Sequence, residues 1–199
     1  MRRLVCTLLA MTMIAAIAVA AVAGDEKKPA VDLVAQQQAM MQAMLPGEHH
    51  EHMKKLVGNF DYTIKLWMDP SQPPTESTGK RSAELIMGGR FLVEKYSGTF
   101  MGMPFEGMGV MAYDNLQKKY VSTWVDNMGT GIMTATGTCD KGPTWTMSGE
   151  MPDPMTGKSA KTRSVLKLAD DNHFVMEMYV AGPDGKEMKM MEISGTRTM

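Results

Sequence analysis

The sequence predicts a mainly β domain, an antiparallel up-and-down barrel of about ten strands preceded by short helices. Three observations lead there. From Gly58 onward apolar residues recur at every second position, the period of a strand with one buried face. Turn-forming residues punctuate that stretch at nearly even intervals, with no helical pattern between them. The segment 105–131 shows the rhythm best. There Glu106–Tyr113 and Lys119–Asp126 flank Asp114-Asn115-Leu116-Gln117-Lys118, a polar hairpin connector, and a third run follows from Ile132. So many short strands would leave exposed edges in an open sheet, and closure removes them.

Taken in order, the chain opens with the marks of a signal peptide. Arg2 and Arg3 form a basic start, Leu4–Ala20 an apolar run, and Ala21-Val22-Ala23 a small-x-small cleavage site. The apolar run approaches spanning length, so a retained anchor is the competing reading. Its small residues and A-x-A end favour processing after Ala23. The protein is therefore expected to be exported, to the periplasm or beyond, with no stable membrane span after cleavage. Removing residues 1–23 takes away Arg2 and Arg3 and no acid, leaving 19 basic and 22 acidic side chains and a net charge of −3. Charges of both signs are interspersed without a basic stripe, which argues against nucleic acid as a partner. Cys139 is the one cysteine left after cleavage, so no internal disulfide is expected and packing must supply the stability. At a strand end it reads as a small half-buried residue, not a reactive thiol.

Residues 24–30 read as a charged tether. Val31–Leu45 contains neither Gly nor Pro and places Leu33, Val34, Met40, Met41, Met44 and Leu45 mostly on one side at helical spacing. Pro46-Gly47 ends that helix, and residues 46–199 are assigned to the barrel domain. A second short helix, Glu48–Leu56, carries acids at its start and Lys54 and Lys55 near its end, as the helix dipole favours. In the first strand Phe60, Tyr62, Ile64, Leu66 and Met68 alternate with polar residues and Trp67, and the Pro-rich Asp69–Pro74 ends it. The further expected strands are Ser77–Met87, Arg90–Phe100, Glu106–Tyr113, Lys119–Asp126, Ile132–Cys139, Thr144–Glu150, Ser159–Leu168, His173–Val180 and Glu187–Thr198.

Several blocks carry a resemblance. Pro46-Gly47-Glu48-His49 with Leu56-Val57-Gly58-Asn59-Phe60, then Gly88-Gly89-Arg90-Phe91-Leu92, Met103-Pro104-Phe105-Glu106-Gly107, Tyr120–Met128 and Asp153–Lys158 are similar to a bacterial family designated domain of unknown function 1579. The resemblance covers residues 46–198 in order and spacing. It implies a calycin-like barrel with a helical plug over one end, and no particular activity. Calycins commonly begin their first strand with Gly-x-Trp, with an Arg of the last strand over the indole. The matching positions are Gly58-Asn59-Phe60 and Arg197, so Phe60 and Arg197 are expected to form a structural pair that closes the barrel base.

For function, the expected partner is a small hydrophobic or amphipathic molecule in the lumen, because ten strands leave room for a ligand where eight barely do. Candidate contacts are Trp124, Tyr96, Met176 and Met178, with Asp126 and Asn127 as polar anchors. The competing reading of Asp126-Asn127 is ordinary turn chemistry. A second class is suggested by 21 methionines after Ala23, since thioether sulfur suits Cu(I). Its candidate groups are Met40/Met41/Met44, Met101/Met103/Met108 and Met188/Met190/Met191, although Met spread through the chain also fits adaptable packing. His49 and His52 share a helix face as weak metal candidates, two imidazoles where structural zinc wants four ligands. His173 follows a turn and lacks any companion motif for haem. No nucleophile–base or zinc-hydrolase motif is present, and Gly107-x-Gly109 lies within a strand, so no cofactor and no enzyme activity is expected. A barrel filled by its own side chains, acting as a structural or interaction module, is the remaining class.

Overall fold

A computed structural model describes residues 32–140, 144–153, 157–182 and 185–198. The expected signal peptide and tether lie outside them. Two helices come first, α1 (Leu33–Ala43) and α2 (Glu48–Lys54). Ten strands follow: β1 (Gly58–Leu66), β2 (Thr75–Ile86), β3 (Phe91–Phe100), β4 (Met103–Asp114), β5 (Lys119–Asp126), β6 (Met133–Asp140), β7 (Thr144–Pro152), β8 (Ser159–Leu168), β9 (His173–Ala181) and β10 (Glu187–Arg197). Each strand pairs antiparallel with the next, and β1 pairs with β10 to close the barrel. The fold class read from the sequence is the one observed.

The alternation that marks β1 works as expected, with Phe60, Tyr62, Ile64 and Leu66 buried and the residues between them facing outward. The strand stops at Leu66, however, and Met68 is exposed in the loop that follows. β4 begins earlier than expected. Met103 and Pro104 pair with Phe100 and Thr99 at the barrel rim, where a residue without an N–H costs the ladder little. In the β4–β5 turn Asp114 Oδ1 accepts from the backbone N–H groups of Leu116 and Gln117, at 2.8 and 3.0 Å. That is the Asp-based turn chemistry expected of this connector.

The helices depart further from expectation. Asp32 caps α1 by accepting from Val34 N and Ala35 N, but no residue of α1 is buried. The apolar positions that share one side of the helix are in solvent, including Leu33, Met40 and Met41. The helix is held at its end instead, where Arg90 donates to the Met44 carbonyl and Asn115 to the carbonyls of Ala43 and Leu45. α2 supplies the plug. Its buried side chains, His50 and Met53, together with Leu56 just beyond it, cover the barrel end at which β1 begins. Met53 and Leu56 pack there with Ala83, Leu92, Met111, Tyr120, Trp145 and Met147 in one core cluster. His50 Nδ1 accepts from Gly47 N at 3.0 Å, which satisfies one of the unpaired donors at the helix start.

Candidate functional site

Beyond the plug the lumen opens into a cavity of about 340 Å³. That volume lies at the lower end of the range for small-molecule sites. Its walls come from the inward positions of nearly every strand, because alternate side chains of a barrel strand face the interior. Tyr62, Tyr96, Phe100, Phe105 and Trp124 form an aromatic side. In the ring order β9 stands opposite β4, and the facing side carries Leu166, Met176, Met178, Met191 and Ile193. Nine of the lining residues are methionines. Unbranched thioether chains make such a wall adaptable in shape.

Trp124 is seated by two glycines of β4. A β-carbon on Gly107 would stand 2.4 Å from Trp124 Cζ2, and one on Gly109 would stand 3.3 Å from Trp124 Cε3. The Gly107-x-Gly109 pair is therefore the bed of an indole. Trp124 Nε1 donates to Asp126 Oδ2 at 2.7 Å, and Asp126 Oδ1 accepts from Met128 N at 3.0 Å. The indole also meets the Tyr96 ring edge-on at 5.3 Å, and Tyr96 meets Tyr62 at 5.5 Å.

A buried ion pair underlies this aromatic wall. Arg81, 2% exposed, donates from Nε to Glu94 Oε2 at 3.2 Å and from Nη1 to the Leu56 carbonyl at 3.0 Å. Its guanidinium lies over the rings of Phe60 and Phe174, with centroids 5.0 and 5.2 Å away. Tyr96 donates its hydroxyl to the same Glu94 oxygen at 3.1 Å. Burial, reinforced by the Glu94 carboxylate, pushes the Tyr96 hydroxyl far up, so it remains a donor at any physiological pH. Sequence reading missed Arg81 and Glu94. A signal was available, since each sits on the inward parity of its strand, Arg81 beside Gly79 and Ala83, and Glu94 between Leu92 and Tyr96. A charge at an inward position points to a buried pair.

Of the expected contacts, Trp124, Tyr96, Asp126, Met176 and Met178 all line the cavity. Asn127 does not. It accepts from Glu106 N and donates to the Pro104 carbonyl, stapling the end of β5 to the start of β4. The methionine groups separate. Met190 and Met191 line the cavity across a bulge in β10, whereas Met188, Met101, Met103, Met108, Met40 and Met41 of α1 and Met44 just after it are exposed. His49 and His52 lie edge-on at 5.8 Å on α2, with His49 stacked on Tyr113 at 3.9 Å. Among the described residues no three His, Cys, Asp or Glu side chains come together as a metal site. His173 sits outside at a turn, with Nδ1 at 2.8 Å from both Asp170 oxygens. Cys139 is half-buried and free, and burial raises its thiol.

At the base, Arg197 lies over Phe60, 4.5 Å from the ring centroid, and the two are register partners. Its remaining donors reach the carbonyls of Asp171, Val57 and Lys55.

The sequence profile of the family described as protein of unknown function (DUF1579) matches residues 45–197. The chain belongs to this family. No curated relative matches it. Among solved structures it is similar to Rv2717c from M. tuberculosis, with a TM-score of 0.53 and 12% identity over 77% of this chain and 99% of that one. A redesigned β-barrel aligns with a TM-score of 0.41 and 17% identity, over 74% of this chain and 96% of that one. Identities this low speak to the fold alone. Among the described residues no helix is long and apolar enough to cross a membrane.

Proposed function

We propose that this DUF1579 protein is an exported carrier that holds a small hydrophobic or amphipathic molecule in its barrel. The observation that supports this reading is the cavity of about 340 Å³, walled by aromatic and methionine side chains and opening away from the plug. A barrel built only as a scaffold would be expected to fill that space, since packed interiors carry few voids larger than a water molecule. The partly accessible Trp124, Met176 and Met178 are the apolar contacts, and Asp126 is the polar anchor beside them. Export rests on the reading of residues 1–23.

Native mass spectrometry of the chain beginning at Gly24, purified untagged from its own secretion route, tests the proposal. A retained organic mass released on denaturation would support a carrier and identify its cargo. N-terminal sequencing of the same sample should begin at Gly24, and an intact Met1 would sink the export reading. The methionine lining supports copper handling as a second reading. Copper in place of an organic mass, lost on replacing Met176, Met190 and Met191, would favour it.

A further inference from the structure

The charges and lone pairs around the cavity point to one class of cargo. This inference rests on the carrier reading. Among the described lining residues the charged side chains are Glu94, Asp126 and Glu150, and none is Lys, Arg or His. Arg81, which pairs with the lining residue Glu94, is not itself part of the lining, and two of its donor nitrogens are engaged by Glu94 and the Leu56 carbonyl. Glu94 accepts from Arg81 and Tyr96 through Oε2 alone, and its Oε1 accepts nothing among the described residues. Asp126 has taken one donor on each oxygen, and a carboxylate oxygen can accept two. Tyr62, 4% exposed, lines the same cavity, and its hydroxyl has no hydrogen-bond partner among the described residues.

Neutral groups of this wall can still donate, namely the hydroxyls of residues such as Ser122, Thr134 and Ser164 and the unpartnered, buried Trp145 Nε1, but its formally charged groups are all carboxylates, which only accept. A carboxylate head would face Glu94 and Asp126 with no free cation to receive it, in a lumen where charges are poorly screened. An ammonium head would meet acceptors, while its hydrocarbon body lies against Met176, Met178 and Leu166 opposite. We infer that the cavity takes an amine-bearing amphiphile and discriminates against fatty carboxylates.

The test uses Nile red, a neutral apolar dye, as reporter of the cavity in the chain beginning at Gly24. Decylamine, decanol and decanoate compete against it below their aggregation concentrations. Decylamine should displace the dye at a concentration about tenfold or more below that of decanoate, with decanol between them. Asp126→Asn keeps an acceptor for the Trp124 indole and should narrow the gap to about threefold or less. Glu94→Gln should narrow it as well, read alongside a melting curve because it loosens a buried pair. Decanoate displacing the dye as well as decylamine does would overturn the inference. So would a gap that both variants leave intact. Failure of Nile red itself to bind would overturn the carrier reading, and the amine preference with it.

Discussion

Gly107 lies directly beneath the indole of Trp124, close enough that a β-carbon there would stand 2.4 Å from Cζ2 and 3.2 Å from Phe105 Cζ. The rigid ring cannot fold aside as a long aliphatic chain could. Gly107→Ala should therefore cost about 1–3 kcal/mol of stability, the usual range for overpacking, and tilt the indole into the cavity. Urea unfolding would read the first effect, and a changed Trp124 emission with weaker Nile red binding the second. An unchanged emission spectrum would mean that the glycine is not the bed described.

Arg81 and Glu94 make a buried pair whose side chains are only 2% and 13% exposed. Removing one partner strands the other charge, so Arg81→Met alone should destabilise by about 3–5 kcal/mol. The double replacement Arg81→Met with Glu94→Leu should recover much of that loss, because it takes both charges out of the interior. A double-mutant cycle in urea decides the matter, and additive losses would refute the coupling.

Met176 projects into the lumen from β9, opposite the aromatic side. Met176→Trp fills part of the cavity with a rigid ring while leaving the strand ladder untouched. Nile red affinity should fall by about tenfold or more, with the melting temperature changed only modestly. Retained dye binding would place the dye elsewhere on the protein.

His50 is buried at the plug, and burial lowers its pKa, with further depression from His49 and Arg90. A group depressed in the folded state stabilises the fold fully above its unfolded pKa of about 6.5, and that contribution is lost as pH falls through the folded value. Stability should decline as pH drops below about 6.5. His49 shifts in the same direction, with burial the largest cause and His52 next, and adds to the slope. His50→Gln, which keeps an acceptor for Gly47 N, should flatten the profile. Urea midpoints between about pH 5 and 7 would measure this, and parallel curves for the two proteins would contradict it.

Much of the architecture was legible because its causes are local. Phe60, Tyr62, Ile64 and Leu66 declare β1 by alternation, and Asp114 declares its turn by bonding to the two residues after Asn115. Trp124, Asp126 and Tyr96 were reachable as cavity residues because parity within a strand predicts a shared face. The fate of Asn127 was not legible, since a turn amide that staples strands and one that binds a ligand look alike in sequence. α1 shows the same limit. Its apolar side chains share one side in the sequence, yet none is buried and the chain pins only its end, through Arg90 and Asn115.

The sequence by itself determined the strand count, the meander order and the faces of most strands, because period-two burial and turn chemistry act over a few residues. Tertiary structure alone decided which inward residues meet across the lumen. Closure of β1 on β10 brings the Met176 side to face Trp124, and the docking of the plug sets the carbonyl of Leu56 against Arg81. Those contacts depend on shear and tilt, which are properties of the closed barrel as a whole and are written in no single strand.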